Sequence, residues 1–160
     1  MFKAGKVLYE TELEALRTKL KELLKNTKSM VALIVDDSGQ LIASQGTLES
    51  VDPTLLGTLA AGNFGATTEL AKLIGELEFT LVFHQGEKEN IHITAIEDLG
   101  ILVIIFSNKV PIGLVRMYAQ KAIKSFIPIL EKTLTEKYRE QEKNKQNIPT
   151  KEDLDKLFNW

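Results

Sequence analysis

Apolar residues recur along this chain with two different periods, and the alternation between them marks out its elements. Between residues 9 and 26, Leu13, Leu16, Leu20, Leu23 and Leu24 fall on one stripe with Glu and Lys between them, the pattern of a helix with one buried face. Residues 30–35 form a continuous apolar run, which predicts a central strand buried on both faces. Asp36-Asp37-Ser38-Gly39 reads as a turn, because Asp and Ser bond local backbone and Gly accepts a positive φ; residues 40–46 then return as the second strand of a hairpin. Asp52 and Pro53 open a second helix, one as N-cap and the other pre-organised for the first helical position. That helix is expected to run to Leu73 or Ile74, with Gly75 as its stop. Residues 79–85, 90–96 and 100–107 read as three strands, joined by Gly86-Glu87-Lys88-Glu89 and Asp98-Leu99-Gly100 into an antiparallel meander. A long helix follows from Pro111 to about Lys143, and Pro128 removes one of its backbone donors and is expected to kink it.

The order α-β-β-α-β-β-β-α predicts an α+β fold, a five-stranded antiparallel sheet with helices packed on it as an α/β sandwich. One domain is expected over residues 1–135. Residues 136–149 are a polar helix end or linker, and residues 150–160 a short amphipathic C-terminal helix.

Composition narrows the function classes. Hydrophobic residues make up 44% of the 160 positions, which suits a globular fold. The net charge of −2 implies no polyelectrolyte partner, and the bases read as spread among acids rather than gathered in one stripe, so no nucleic acid is expected. The absence of cysteine excludes disulfides and a Cys-based zinc site and fits a reducing cytosol. Met1 to Val7, interrupted by Lys3 and Lys6, does not read as a leader. The most apolar run, residues 100–106, is far below the roughly 20 residues needed to cross a bilayer, so no membrane insertion is expected.

Three segments carry candidate interaction chemistry. On the second helix, Leu55, Leu56, Leu59, Leu70 and Ile74 share one face, expected to cover the sheet, with Ala66 and Thr67 beside them. The opposite face carries Thr54, Gly57, Ala61, Gly65, Thr68 and Lys72, where a solvated helix would carry Glu, Lys or Gln. Its glycines each cost about 0.8–1.0 kcal/mol against alanine, so this face reads either as a surface for close approach of a partner or as the crossing point of a loop of the same chain. Phe79, Leu81 and Phe83 alternate with polar or smaller residues along a strand without proline. If it is an edge strand it can pair with a second copy across a two-fold axis; ordinary pairing within the monomer is the competing reading. In the tail, Thr150 can cap, and Leu154, Leu157 and Phe158 make an i, i+3, i+4 stripe. About nine residues cannot hold a helix alone in water, so the segment is expected to seek a groove, its own or a partner's.

Other chemistry is poorly supported. His84 and His92, placed near each other across the hairpin, fall short of the three protein ligands a zinc site wants, and Glu87 and Glu89 read as solvated turn charges. Asp36 and Asp37 are explained by the turn, and Ser38 and Ser44 have no histidine partner. Residues 62–68 lack the Gly-Lys-Ser/Thr end of a phosphate loop and sit inside a helix. Arg17 and Arg116 lie within helices and Arg139 near a polar helix end, none on the exposed loop an arginine finger requires. No cofactor, metal or catalytic residue is expected, and the chain does not read as an enzyme.

The element order is that of the Roadblock / dynein light chain domain. Asp36-Asp37-Ser38-Gly39-Gln40-Leu41-Ile42, Leu59-Ala60-Ala61-Gly62-Asn63 and Leu70-Ala71-Lys72-Leu73-Ile74-Gly75-Glu76 closely resemble the bacterial mutual gliding protein B subgroup. So do Phe83-His84-Gln85-Gly86, Leu114-Val115-Arg116 and Asp153-Leu154-Asp155-Lys156-Leu157-Phe158. The resemblance implies a homodimer that activates and regulates a small Ras-like GTPase of the gliding protein A type without an arginine finger, in control of cell polarity or motility. It implies a cytoplasmic chain concentrated at a cell pole. It also implies that Thr54, Gly57, Ala61, Phe64, Gly65, Thr68 and Lys72 face the GTPase, that Phe79, Leu81 and Phe83 form the dimer edge, and that Leu154, Leu157 and Phe158 anchor the tail. A Roadblock scaffold without effect on hydrolysis and a small-molecule sensor are the alternatives. The sensor ranks last, because the apolar positions read as close-packed core rather than a roomy pocket.

Overall fold

The two most apolar strands form the middle of the sheet. β1 (Val31–Val35) and β5 (Gly100–Ser107) pair antiparallel, Val31 opposite Ile105 and Val35 opposite Ile101. The sheet order is β2-β1-β5-β4-β3, with β2 (Leu41–Gly46), β3 (Leu81–Gln85) and β4 (Glu89–Ile96) completing it, and neighbouring strands pair antiparallel. The structure is a computed structural model; it describes residues 2–146 and 150–158, with the side chains of residues 10–132, 150–153 and 155–157.

Both faces of the sheet are covered, which is why the central strands alternate between two cores instead of between core and water. Ala32, Ile34, Leu102, Ile104 and Phe106 point to one side, where α1 (Phe2–Thr27) and α3 (Ile112–Gln146) lie; Leu16, Leu20 and Leu23 of α1 and Val115, Ala119, Phe126 and Leu130 of α3 close that core. Val31, Leu33, Val35, Ile101, Val103 and Ile105 point to the other side, beneath α2 (Pro53–Leu73). A short α4 (Lys151–Phe158) follows α3.

Local chemistry fixes the junctions. In the β1–β2 hairpin, Asp36 Oδ1 accepts from Ser38 N at 3.0 Å, Ser38 Oγ at 2.7 Å and Gln40 N at 2.9 Å, while Gly39 takes φ +87°. The α2 start is as expected: Asp52 Oδ1 accepts from Thr54 N at 3.0 Å, with Pro53 next. Three boundaries differ from expectation by more than one residue. α1 begins seven residues before Tyr9, and β3 begins at Leu81, leaving Phe79 ahead of the strand. α3 continues as helix through Pro128 to Gln146, past the expected Lys143.

Candidate functional site: the outer face of helix α2 and the edge of strand β3

α2 meets the sheet through its small residues. Gly57, Ala60, Ala61 and Ala71 are its buried positions. A Cβ added at Gly57 would lie 2.5 Å from Val35 Cγ1, closer than real side chains approach, so a glycine is required for the helix to sit this near β1. The large residues point outward: Leu55, Leu59, Leu70, Leu73 and Ile74 are all more than half exposed, with Leu73 at 81%.

This reverses the expected orientation. Leu55, Leu59, Leu70 and Ile74 were expected on the sheet, and only Leu56 of that group is packed against it, half-buried. Gly57 and Ala61 were expected on an open partner surface, and both are buried within the chain. The physical reason is space. Val31, Leu33, Val35, Val103 and Ile105 already fill the layer above β1 and β5, so the helix can approach only on its smallest side. The spacing of residues 57, 60, 61, 64 and 71 carried that signal in the sequence, but leucine content outweighed it. Of the remaining expected GTPase-facing set, Thr54, Gly65 and Lys72 are exposed, and Phe64 and Thr68 half-buried. Lys72 pairs with Glu69 at 3.0 Å.

The outward stripe runs Leu55, Leu59, Gly62, Ala66, Leu70, Leu73, with steps of three or four residues that keep it on one side of the helix. Its two ends are bulky and its middle is small; a Cβ at Gly62 would meet nothing within 4 Å. Leu77, just beyond the helix, is 98% exposed and extends the apolar surface. Such a contiguous row differs from the apolar residues scattered singly on ordinary surfaces.

β3 ends the sheet beside it, so the strand is an edge. Thr80 O accepts from Ala95 N at 3.1 Å. By antiparallel alternation, residues 80, 82 and 84 then bond inward to β4, and Leu81, Phe83 and Gln85 turn their N–H and C=O outward. Phe83 packs on Phe106 on the α1–α3 side, with ring centroids 6.2 Å apart. His84 is on the α2 side, where its Nε2 is 3.3 Å from Asn63 Oδ1, tying the edge strand to the helix.

The histidines do not meet. His92 is opposite Phe83 and His84 opposite Ile91, so their side chains leave opposite faces of the sheet, correcting the expected proximity. His92 is buried with neither ring nitrogen hydrogen-bonded, and burial first and the Arg116 charge second push its pKa down to about 4. Among the described residues no group of three or more His, Asp or Glu could hold a metal ion. Arg17 is held by Glu14 at 2.5 Å on α1 and Arg116 is exposed on α3, both in the layer opposite α2; the side chain of Arg139 falls outside the described residues. In α4, Thr150 N and Oγ1 donate to Asp153 Oδ2 at 2.9 and 2.7 Å, and Asp153 N donates back to Thr150 Oγ1 at 3.3 Å, a capping box with Asp in place of Glu. These bonds hold the Asp153 carboxyl below its ordinary pKa. Leu157 is exposed, and the side chains of Leu154 and Phe158 lie outside the described residues.

The comparisons with known proteins agree with this architecture. The Roadblock/LC7 domain model matches residues 17–106. Among solved structures, Myxococcus xanthus MglB is 38% identical with a TM-score of 0.72, over 76% of this chain and 91% of that one. The gliding protein MglB of Thermus thermophilus is 31% identical with a TM-score of 0.69, over 76% and 92%. An MglB solved in a tetrameric arrangement is also 31% identical, with a TM-score of 0.68, over 79% and 92%. Curated proteins give no match. The family match spans more than half of the sequence, and the sheet order, the two helical layers and the MglB-like structures agree with it: the chain belongs to the Roadblock/LC7 domain family.

Proposed function

We propose that this chain regulates a small Ras-like GTPase by protein contact, as a homodimer and without an active site of its own. The observation that carries the reading is the exposed apolar stripe of α2 beside an open β3 edge. A second copy added at β3 satisfies the outward N–H and C=O groups of Leu81, Phe83 and Gln85 and continues the sheet. A two-fold axis normal to that sheet puts both α2 helices on the same side. Their leucine stripes then form one surface, bordered by Thr54, Gly65 and Lys72, on which the GTPase sits.

The charge distribution bears on mechanism. None of the three arginines belongs to α2 or β3, so no finger is available from that surface to the transferring phosphate. The regulator then acts by binding one arrangement of the GTPase better than another, which requires tighter association with the GTP form than with the GDP form. α4, beyond the long α3, serves as a separate anchor that adds affinity through effective concentration. The same reading supports a role in cell polarity or motility, in the cytoplasm and at a cell pole.

The test is single-turnover GTP hydrolysis by a candidate small Ras-like GTPase, with wild type, Leu59→Glu, each arginine changed to alanine, and a chain ending at Gln146. The expected result is stimulation by wild type and by every arginine variant, loss with Leu59→Glu, and stimulation retained at saturating concentration by the truncated chain. Loss of the roughly 10³–10⁵-fold rate effect in one folded arginine variant with binding intact would overturn the finger-free mechanism.

A further inference from the structure

The two sides of the sheet carry opposite charge. Residues 29–107, which supply the sheet and α2, contain eleven acids and two lysines. Residues 1–28 contain seven bases and four acids, and residues 108–132 five bases and one acid. No acid occurs between Asp98 and Glu131. The near-neutral whole therefore hides a strong dipolar division, and the bases that read as dispersed along the sequence are gathered in space by the packing of α1 on α3.

The centre of the basic side is the outer surface of these two helices. Lys19, Glu22 and Asn26 of α1 share one groove of about 190 Å³ with Tyr118, Lys121 and Ser125 of α3, so the helices present their outer faces together. Around it, Lys21 and Lys25 of α1, Lys28 just past its end, and Lys121 and Lys124 of α3 are exposed. Lys19 reaches Glu22 at 3.7 Å and Lys132 reaches Glu12 at 2.9 Å; the five exposed lysines have no such carboxylate partner among the described residues. Lys121 is instead 5.3 Å from the Tyr118 ring centroid.

Part of this charge has a local explanation. Lys25 and Lys28 lie at the C-terminal end of α1, where cations favour the helix dipole. That account does not reach Lys21, Lys121 and Lys124, which lie within helices. α3 moreover has no acid in its first turn, where an acid would be favourable.

We propose that the α1–α3 face is an electrostatic docking surface for the anionic headgroups of a lipid bilayer, holding the protein on the membrane with α2 turned away from it. Clusters of four to eight lysines or arginines on a helical surface have this effect, each adding attraction to anionic lipid. Two features favour a bilayer over nucleic acid. The patch is built of lysines, point charges suited to a diffuse anionic plane, rather than of the arginine forks that match single phosphates. Met117 lies outward among them at 44% exposure, and an apolar side chain at that place enters a headgroup layer but has no use against a phosphate backbone. The inference needs no GTPase; in the homodimer proposed above, both basic faces lie on the same side and the charge doubles.

The experiment is co-sedimentation of the full chain with vesicles of phosphatidylcholine alone and of phosphatidylcholine with 30% phosphatidylglycerol as a probe composition (an order-of-magnitude choice, about one charge in three lipids). It is run with wild type, Lys21→Gln/Lys25→Gln/Lys121→Gln/Lys124→Gln, and Lys88→Gln as a charge control in the β3–β4 turn. The expected result is binding to the anionic vesicles only, reversed by high salt, weakened about a hundredfold or more in the fourfold variant and unchanged in the control. Circular dichroism melting verifies that the variants are folded, and the salt reversal of wild type tests the charge dependence without any substitution. No binding to anionic vesicles, equal binding to neutral ones, or unchanged binding by the folded fourfold variant would overturn the proposal. Binding to duplex DNA in place of vesicles would overturn it in favour of a nucleic-acid surface.

Discussion

α1 and α2 are both leucine-bearing helices laid on the same sheet, and they use their leucines in opposite ways. In α1, Leu16, Leu20 and Leu23 are 1%, 0% and 3% exposed, while Glu10, Glu14, Arg17, Lys21, Glu22 and Lys25 face water. In α2, Leu55, Leu59 and Leu70 are 57%, 64% and 57% exposed, and glycine and alanine face the sheet. The difference teaches that leucine periodicity reveals a helix and its two faces without deciding which face is the core. Available volume decides. The α1 side is filled jointly by α1 and α3, whereas above β1 and β5 the strands' own branched side chains occupy the space and admit only small partners. A helix in that position leaves its large apolar residues outside, where they add little to the core.

The comparison can be broken most sharply by truncating one leucine from each helix. Leu20→Ala removes a fully buried side chain from the α1–α3 core and is expected to cost about 2–5 kcal/mol. Leu59→Ala, at the exposed position, is expected to remain within about 0.5 kcal/mol under conditions that keep the chain monomeric. Urea denaturation measures both, and equal losses would mean that the two helices do not differ as described.

Next in size is the titration of the buried edge of the α1–α3 core. The folded-state pKa of His92 is depressed to about 4 from an ordinary 6.5, first by burial and then by Arg116. A depressed histidine stays neutral in the folded chain while the unfolded chain takes up a proton. The contribution of His92 to stability is therefore full above pH 6.5, is lost as the pH drops towards 4, and is level below it; its whole span is on the order of 3 kcal/mol. Denaturation midpoints across this window should show that slope in wild type and lose this part of it in His92→Phe. An unchanged slope in the variant would remove His92 as the cause.

Adding a methyl group on the inner side of α2 sharpens the same contrast. Gly57→Ala forces a Cβ against Val35 and is expected to destabilise by about 1–3 kcal/mol, whereas Gly62→Ala on the outer side meets nothing and should stabilise the helix by up to about 1 kcal/mol. Thermal melting of the two variants reads both signs.

The sequence made legible what local chemistry determines. The apolar runs of β1 and β5, the Asp36 turn with Gly39, and the Asp52–Pro53 start of α2 all read correctly because each is decided by a few adjacent residues. The rotation of α2 was not legible, because it depends on how much volume β1 and β5 leave once paired. Phe79 falls outside β3 although its neighbours alternate correctly, since the described pairing of β3 with β4 starts at Leu81 opposite Thr94. The basic face was hidden for a different reason: Lys21 and Lys25 are about a hundred positions from Lys121 and Lys124, and only the packing of α1 against α3 unites them.

The central claim is that the outer face of α2 is a partner surface, and the most direct measurement is association of the chain with a Ras-like GTPase in its GTP and GDP forms, titrated with wild type, Leu59→Glu and Leu70→Glu. The account predicts tighter binding of the GTP form by wild type, and loss of that binding in both variants while their melting temperatures stay at the wild-type value. Wild-type binding by both folded variants would contradict it.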